Sequence, residues 1–224
     1  MWQRTAMKIA LLRCKGKITV ARILYIHPDN PQPRLIKQAA DAIKHGKLIV
    51  YPTDSGYAIG WSMDNVSAPK TVAKLRHIDK LHFYSIICEN ISQISEFALL
   101  DNVAFRIIKS HTPGAYTFIL PATRRVPKKL QHQNRKSIGV RLPNHQVVID
   151  LVKELGEPFM SSSLELHDAE IDELNSSEID DLIGHALEFI IDSGYTPAEP
   201  STVVELLDDG PQVIREGKGE VDFV

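Results

Sequence analysis

Hydrophobic and polar positions follow two alternating patterns along this chain. Short apolar runs read as buried strands at Ile23–Ile26, Leu48–Tyr51, Tyr84–Cys88, Tyr116–Leu120, Ile138–Arg141 and Phe159–Met160. Helical spacing runs between them. Arg34 to Lys44 places Leu35, Ile36, Ala39, Ala40 and Ile43 on one face, with Gly46 as the stop. Ser67 is placed to cap a helix through Val72, Leu75 and Ile78, with Pro69 near its start. Asp101 or Asn102 starts a helix that ends at Thr112-Pro113-Gly114. Asn144 is placed to cap one through Val147, Val148, Leu151 and Leu155. Glu178 to Phe189 repeats the period, with Ile179, Leu182, Ile183 and Ala186 inward. Thr202–Leu207 and Gln212–Arg215 read as paired strands. The alternation predicts one α/β domain.

Residues 1–22 carry six basic residues and no acidic ones, without a clear period. They read as an extension, disordered or upstream of a true start at Met7. The domain is expected over 23–224. Glu165 to Ser177, polar and acidic, reads as a mobile loop.

Composition is that of an ordinary globular protein, at 43% hydrophobic and 24% charged. Two cysteines, Cys14 and Cys88, form no C-x-x-C, so a structural zinc site is not expected and a reducing cytoplasm is. No apolar run approaches a membrane span. The net charge of −2 hides an asymmetry. Lys70 to Arg141 holds 13 Lys and Arg against 4 Asp and Glu, whereas Leu142 to Pro200 holds 1 against 14. The basic half fits an anionic partner such as a nucleotide or RNA, or a solvated face that meets the acidic half.

Candidate chemistry gathers at element ends. Pro52-Thr53-Asp54-Ser55-Gly56-Tyr57 follows the second strand. Lys74 and Arg76 lie two apart, so they meet one ligand only if the helix ends there. Arg141 and Arg215 close apolar strands, where a guanidinium suits phosphate or carboxylate. Ser161 to Ser163, Ser201-Thr202 and Thr117 add hydroxyls. No Walker loop, G-x-G-x-x-G or G-x-S-x-G elbow occurs.

Taken in order, these segments resemble the YrdC/YciO family of threonylcarbamoyl-adenylate synthase-like proteins, most closely its YciO branch, over roughly Ile23 to Val224. Pro52-Thr-Asp-Ser-Gly-Tyr57 resembles P-T-D/E-x-x-Y-G-L-G, with Ala58-Ile59-Gly60 where G-L-G is usual. Lys74-Leu-Arg76 with Lys80 resembles K-x-R-x-x-x-K. Pro113–Thr117 resembles P-G-x-Y/F-T, and Gly139–His145 resembles G-V-R-x-P-x-H. Ser201–Val204 and Arg215–Gly217 resemble S-T-V-V and R-x-G. Where the synthases carry T-S-A-N, this chain has Ser161-Ser162-Ser163-Leu164, so leucine replaces an amide.

The resemblance implies an open twisted sheet flanked by helices, with a large basic cavity. It implies condensation of L-threonine, bicarbonate and ATP to threonylcarbamoyl-AMP and pyrophosphate, for the t6A modification of tRNA. Lys74 and Arg76 would then be catalytic. Arg141, Ser162, Ser201, Thr202 and Arg215 would bind the nucleotide, and Thr53, Tyr57 and Thr117 the threonine. Magnesium would accompany ATP, and other t6A-pathway proteins would be partners. Binding of double-stranded RNA or tRNA without this activity is the rival, and a sister adenylating enzyme with another substrate is a third reading.

Overall fold

Period-two burial along the strands divides the apolar side chains between two faces of one sheet. The computed structural model describes residues 20–77, 84–132, 135–164, 175–196, 198–207 and 210–222. Ten strands form that sheet: β1 (Arg22–Tyr25), β2 (Ile49–Thr53), β3 (Gly56–Trp61), β4 (Ser85–Ile87), β5 (Tyr116–Pro121), β6 (Ser137–Arg141), β7 (Phe159–Ser163), β8 (Phe189–Asp192), β9 (Thr202–Leu207) and β10 (Gly210–Arg215). Their order is β1-β8-β2-β3-β7-β4-β6-β5-β9-β10, so β1 and β10 are the edges of the sheet among the described residues. The β1–β8, β2–β8, β4–β6 and β5–β9 pairs are parallel and the other five antiparallel, which makes the sheet mixed. The α-helices among the described residues are α1 (Pro33–Lys44), α2 (Ala68–Arg76), α3 (Ile91–Phe97), α4 (Asn102–His111), α5 (Gln146–Leu155) and α6 (Ser176–Ile183).

One face carries the larger core. Val50, Ile59, Ile86, Val140, Phe118 and Val204 meet side chains from α2, α3, α4 and α6 there. The other face holds Ile49, Tyr51, Ala58, Ile87 and Phe159 against α1 and α5. Strands β6, β5, β9 and β10 contribute no residue to this second core. Their polar positions on that face are therefore not spent on helix packing.

Several local expectations change. The strand expected to stop at Tyr51 continues through Pro52 to Thr53. Its pairing explains why. β2 meets β8 only at Ile49 and Val50, so Pro52 has a ladder neighbour on the β3 side alone, where a missing N–H is tolerated. The polar turn after it is shorter than the sequence suggests, because Gly56 already opens β3. Ser67 does not cap α2 with its side chain; Asn65 Oδ1 accepts the Ser67 and Ala68 N–H groups instead. Asn144 does not cap α5, whose N-cap position is His145. Asp101 does cap α4, accepting from the Ala104 N–H at 2.7 Å.

The helix expected over Glu178–Phe189 starts at Ser176, ends at Ile183 with a short 3-10 turn behind it, and gives way to β8 at Phe189. Leu182, expected inward, is exposed. Strands β3 and β8 and helix α3 were not expected. Residues 165–174 of the expected mobile loop, Lys80 and Cys14 lie outside the described residues, as do residues 1–19 of the expected extension. Ala21 is buried, with its N–H donating to Asp180 Oδ1 at 2.8 Å, and Arg22 opens β1.

Gly60 shows how tightly the second core is filled. A Cβ there would lie 2.9 Å from Tyr51 Cε1 and 3.1 Å from Phe159 Cε2. The two rings meet edge to face at 5.4 Å. Gly60→Ala should therefore cost about 1–3 kcal/mol of stability by overpacking, measured as a lower urea midpoint.

Candidate active site

Strand register assembles a polar row on the open half of the second face. Val140 points into the larger core, so Arg141, next along β6, points the other way. Phe118 opposes Val140, which places Thr117 beside Arg141. Thr117 opposes Val203, and Val203 opposes Arg215 across a bulge in β10. Arg141, Thr117 and Arg215 thus lie along one line over four strands. Ser201 joins them. Its Oγ is 2.9 Å from Thr117 Oγ1, and its carbonyl accepts from Arg215 Nε at 3.2 Å and Nη2 at 2.9 Å.

Two neighbouring guanidinium groups need a counter-charge, and Asp54 supplies it. Arg141 Nη2 donates to Asp54 Oδ1 at 3.2 Å and to Ser55 Oγ at 2.7 Å. The second carboxylate oxygen accepts the Asn144 N–H at 2.7 Å. Arg141 is 3% exposed. Burial pulls its pKa down from the usual arginine value, the Asp54 carboxylate opposes this, and Arg215 adds to the pull. Beneath lies Tyr51, whose hydroxyl is 2.6 Å from Ser161 Oγ and whose pKa is raised by full burial.

A second group forms on the opposite face. His77 adopts a left-handed conformation (φ 52°) and ends α2 directly after Arg76. Arg76 turns inward, 1% exposed, and its Nη1 donates to Ser162 Oγ at 2.5 Å. Lys74 stays exposed. Tyr57 packs against the same core, and burial raises its pKa. Leu164 is buried there, its N–H donating to the Tyr57 carbonyl at 2.8 Å.

The expected site residues therefore fall into two sets. Arg141, Thr117, Ser201 and Arg215 come together, while Arg76, Ser162 and Tyr57 gather across the sheet. Thr202 has its hydroxyl committed to backbone, donating to the Gly219 carbonyl at 2.6 Å and accepting from the Gly217 N–H at 3.0 Å. Thr53 donates to the Gly56 carbonyl at 2.7 Å and borders a cleft of 930 Å³. Segments 112–116, 144–145 and 218–220 form the other walls of that cleft. Its charged lining is Lys218, Asp54, Glu220 and Asp222, with His111 and His145 beside them, and no arginine lines it.

The last wall docks through two glycines. A Cβ at Gly217 would lie 2.1 Å from the Pro200 carbonyl oxygen, and one at Gly219 would lie 2.5 Å from the Tyr116 ring. Lys218 Nζ donates to the Asp54 carbonyl at 2.8 Å. Asp54, Ser55 and His145 stood inside segments marked in the sequence but were given no site role, and Lys218 was not marked. Asp54 and Ser55 meet Arg141 and Lys218 from 86 to 164 residues away, which no local pattern reveals.

A family model described as Sua5_yciO_yrdC, telomere recombination, matches residues 41–217. The chain belongs to the Sua5/YciO/YrdC family. YciO of Escherichia coli K12 is 43% identical over 202 residues, covering 90% of this chain and 98% of that protein. Its crystal structure superposes with a TM-score of 0.86, covering 91% of this chain and 98% of the other. More distant is the threonylcarbamoyl-AMP synthase of Pseudoalteromonas translucida, 29% identical over 136 residues, or 58% of this chain and 71% of that one. Pyrococcus abyssi Sua5, solved with L-threonine, has the same fold at a TM-score of 0.78 and 24% identity, over 87% of this chain and 57% of that one. For this Sua5/YciO/YrdC chain, no helix among the described residues is long and apolar enough to cross a membrane.

His145 links the family's arginine segment to the cleft. Its Nδ1 is buried without a partner, and burial pushes the imidazole below its ordinary value of 6.5 against the pull of Asp54 and Asp29. The unfolded chain then binds the proton more readily than the folded one. His145 therefore contributes stability that is complete above the unfolded pKa and lost as pH falls toward the folded value. Denaturation between about pH 7 and pH 5 should show a steeper loss in the native protein than in His145→Gln.

Proposed function

We propose that this protein is a threonylcarbamoyl-AMP synthase-like nucleotidyltransferase, which joins L-threonine, bicarbonate and ATP and releases pyrophosphate. The observation that carries this reading is the row of Arg141, Thr117, Ser201 and Arg215, with Asp54 as its part-buried counter-charge. Two guanidinium groups and two hydroxyls in one row suit a polyphosphate. Adenylyl transfer asks mainly for position and for neutralisation of charge on phosphate oxygens, and needs no protein nucleophile.

In this scheme the amine of threonine attacks carbon dioxide derived from bicarbonate, giving a carbamate and releasing a proton. A carbamate oxygen attacks the α-phosphorus, and pyrophosphate leaves. Arg141, Ser201 and Arg215 hold the phosphates. The family motifs, not proximity to this row, assign Lys74, Arg76 and Ser162 to the α-phosphate and carbamate and Thr53, Tyr57 and Thr117 to the amino acid; Arg76, Ser162 and Tyr57 lie across the sheet from the row. Thr202 acts through the chain it anchors at Gly217 and Gly219. No three His, Cys, Asp or Glu converge as a metal cage among the described residues, and both Asp54 oxygens are already bonded. A magnesium ion arriving with ATP would have phosphate oxygens and water as its ligands. The synthase named among the relatives and the Sua5 structure with L-threonine support the substrate assignment.

Lys74 is the cleaner test of the pair, because Arg76 is buried and its loss would disturb the fold. Lys74→Ala should lower threonine-dependent pyrophosphate release about 100-fold, with an unchanged melting temperature. Turnover equal to that of the native protein would remove Lys74 from the mechanism. An intact protein that shows no threonine-dependent release would end the synthase reading.

A second reading has its own observation. Arg124, Arg125, Lys128 and Lys129 are all exposed on one loop, which Val126 and Leu130 anchor in the core. Arg106 and Lys109 on α4 are exposed as well. Such a face fits the phosphates of structured RNA. The logarithm of its affinity should fall linearly with log salt, and Lys128→Glu with Lys129→Glu should flatten the slope by about 1–2. An unchanged slope in the double variant would remove the loop as an RNA contact.

A further inference from the structure

The helical layer over the larger core carries opposite charges at its two ends. Helix α4 lies at the β5 end, where His111 meets Tyr116 edge to face at 5.2 Å and the Leu99 N–H donates to the Pro121 carbonyl at 2.8 Å. Helix α6 packs on β8. In the sheet order these two strands are six spacings apart, about 30 Å. Burying Ala104, Ile107 and Ile108 turns Arg106 and Lys109 of α4 outward, between exposed Val103 and Phe105. Lys109 Nζ sits over the Phe105 ring, 6.0 Å from its centroid. Burying Ser176, Ile179 and Ile183 turns Glu178 and Asp181 of α6 outward, with exposed Leu182 beside them. Each end thus combines two like charges with exposed apolar side chains.

The two ends do not neutralise each other within one chain. Among the described residues no ion pair joins the basic segment 70–141 to the acidic segment 142–200. Lys37 and Lys47, outside the basic segment, meet Glu154 and Glu188, while Arg125 meets Glu96 inside it. Charges some 30 Å apart in water are about three Debye lengths from one another, so salt screens them. Glu178 Oε2 accepts the Asn175 N–H at 3.0 Å, a neutral donor that leaves its charge in place. A surface matching both ends offers carboxylates with apolar groups at one place, and cations with apolar groups about 30 Å away. A second copy of this chain, rotated by a half-turn about an axis through the middle of the layer, has that arrangement. A nucleic acid matches the basic end alone.

We propose that this helical layer is the interface of a two-fold homodimer, in which α4 of each chain lies against α6 of the other. Arg106 and Lys109 face the second copy's Glu178 and Asp181, and Val103 and Phe105 meet its Leu182. The two-fold axis makes this contact twice and closes the assembly, so no open filament results. Exposed ion pairs contribute little affinity by themselves. The apolar side chains supply it, and the charges set the orientation and exclude the reverse arrangement, in which like ends meet. The proposal uses no residue of the candidate active site and stands whether or not the synthase reading does.

Sedimentation velocity of the full chain, over a range of concentrations and at low and high salt, tests it. The native protein should sediment as a dimer at low salt, with a dissociation constant about tenfold higher at high salt. Arg106→Glu and Asp181→Lys should each raise that constant about 30-fold, because each brings like charges together at both contacts. Both side chains are exposed, so neither change disturbs the core. An equal mixture of the two variants should associate within about threefold of the native protein, since each contact of the mixed dimer again joins opposite charges. Native protein that stays monomeric at about 100 µM and low salt overturns the dimer, as does one that associates only when structured RNA is added. A dimer indifferent to both substitutions, or a mixture no tighter than its separate parts, overturns the pairing of α4 with α6.

Discussion

A guanidinium cannot be buried alone, and the ion pair of Arg141 with Asp54 follows from that constraint. Taking both charges out of water costs several kcal/mol per ion unless geometry and extra hydrogen bonds offset it. Here the offsets are Ser55 Oγ for the arginine and the Asn144 N–H for the carboxylate. The partners are 87 residues apart, on segments attached to β2 and β6, which three other strands separate in the sheet. The pair therefore also ties distant parts of the sheet together. Removing either partner strands the other charge, so this contact sets the position of the whole row.

The two faces then take different tasks. One is packed by α2, α3, α4 and α6 and buries Arg76 and Ser162. The other is packed by α1 and α5 over half its width, and the remaining half carries the arginine row, with Arg141 and Ser201 themselves buried. A mixed sheet permits this, because its parallel and antiparallel connections send helices to different places along its width. Hydroxyls and guanidinium groups occupy strand positions whose neighbours one residue away are core, as with Val140 and Arg141 or Met160 and Ser161.

Much of this was legible from residues. The residue pattern marked eight of the ten strands, and hydrophobic spacing marked five helices. The unmarked elements share a cause. β3 starts at Gly56 with small residues that resemble a turn, and only pairing with β2 and β7 makes it a strand. β8 continues a helical spacing from α6, because a short fully buried run fits either period. Capping failed where a neighbour reached the free N–H groups first, as Asn65 does ahead of Ser67. The ordered motifs identified the family and the residue types of the site. They did not show the split across the sheet or the acidity of the cleft, since both arise from contacts between residues far apart in the chain.

The docking of Gly217 and Gly219 has a consequence for the order of assembly. The cleft takes its walls from Thr53, Tyr116, His145 and Gly219, which spans most of the chain. Walls so distant in sequence close slowly, because loop entropy is lost before the contacts form. On a ribosome, the stretch at 217–220 is also the last of these walls to emerge. A nascent chain can complete most of its sheet while the acidic wall is still missing. During that interval the cleft lacks the wall that carries Lys218 and Glu220, while Arg141 already has Asp54 as its counter-charge. Maturation of the site is thus a separate event from formation of the sheet, timed by the arrival of two residues that have no side chain.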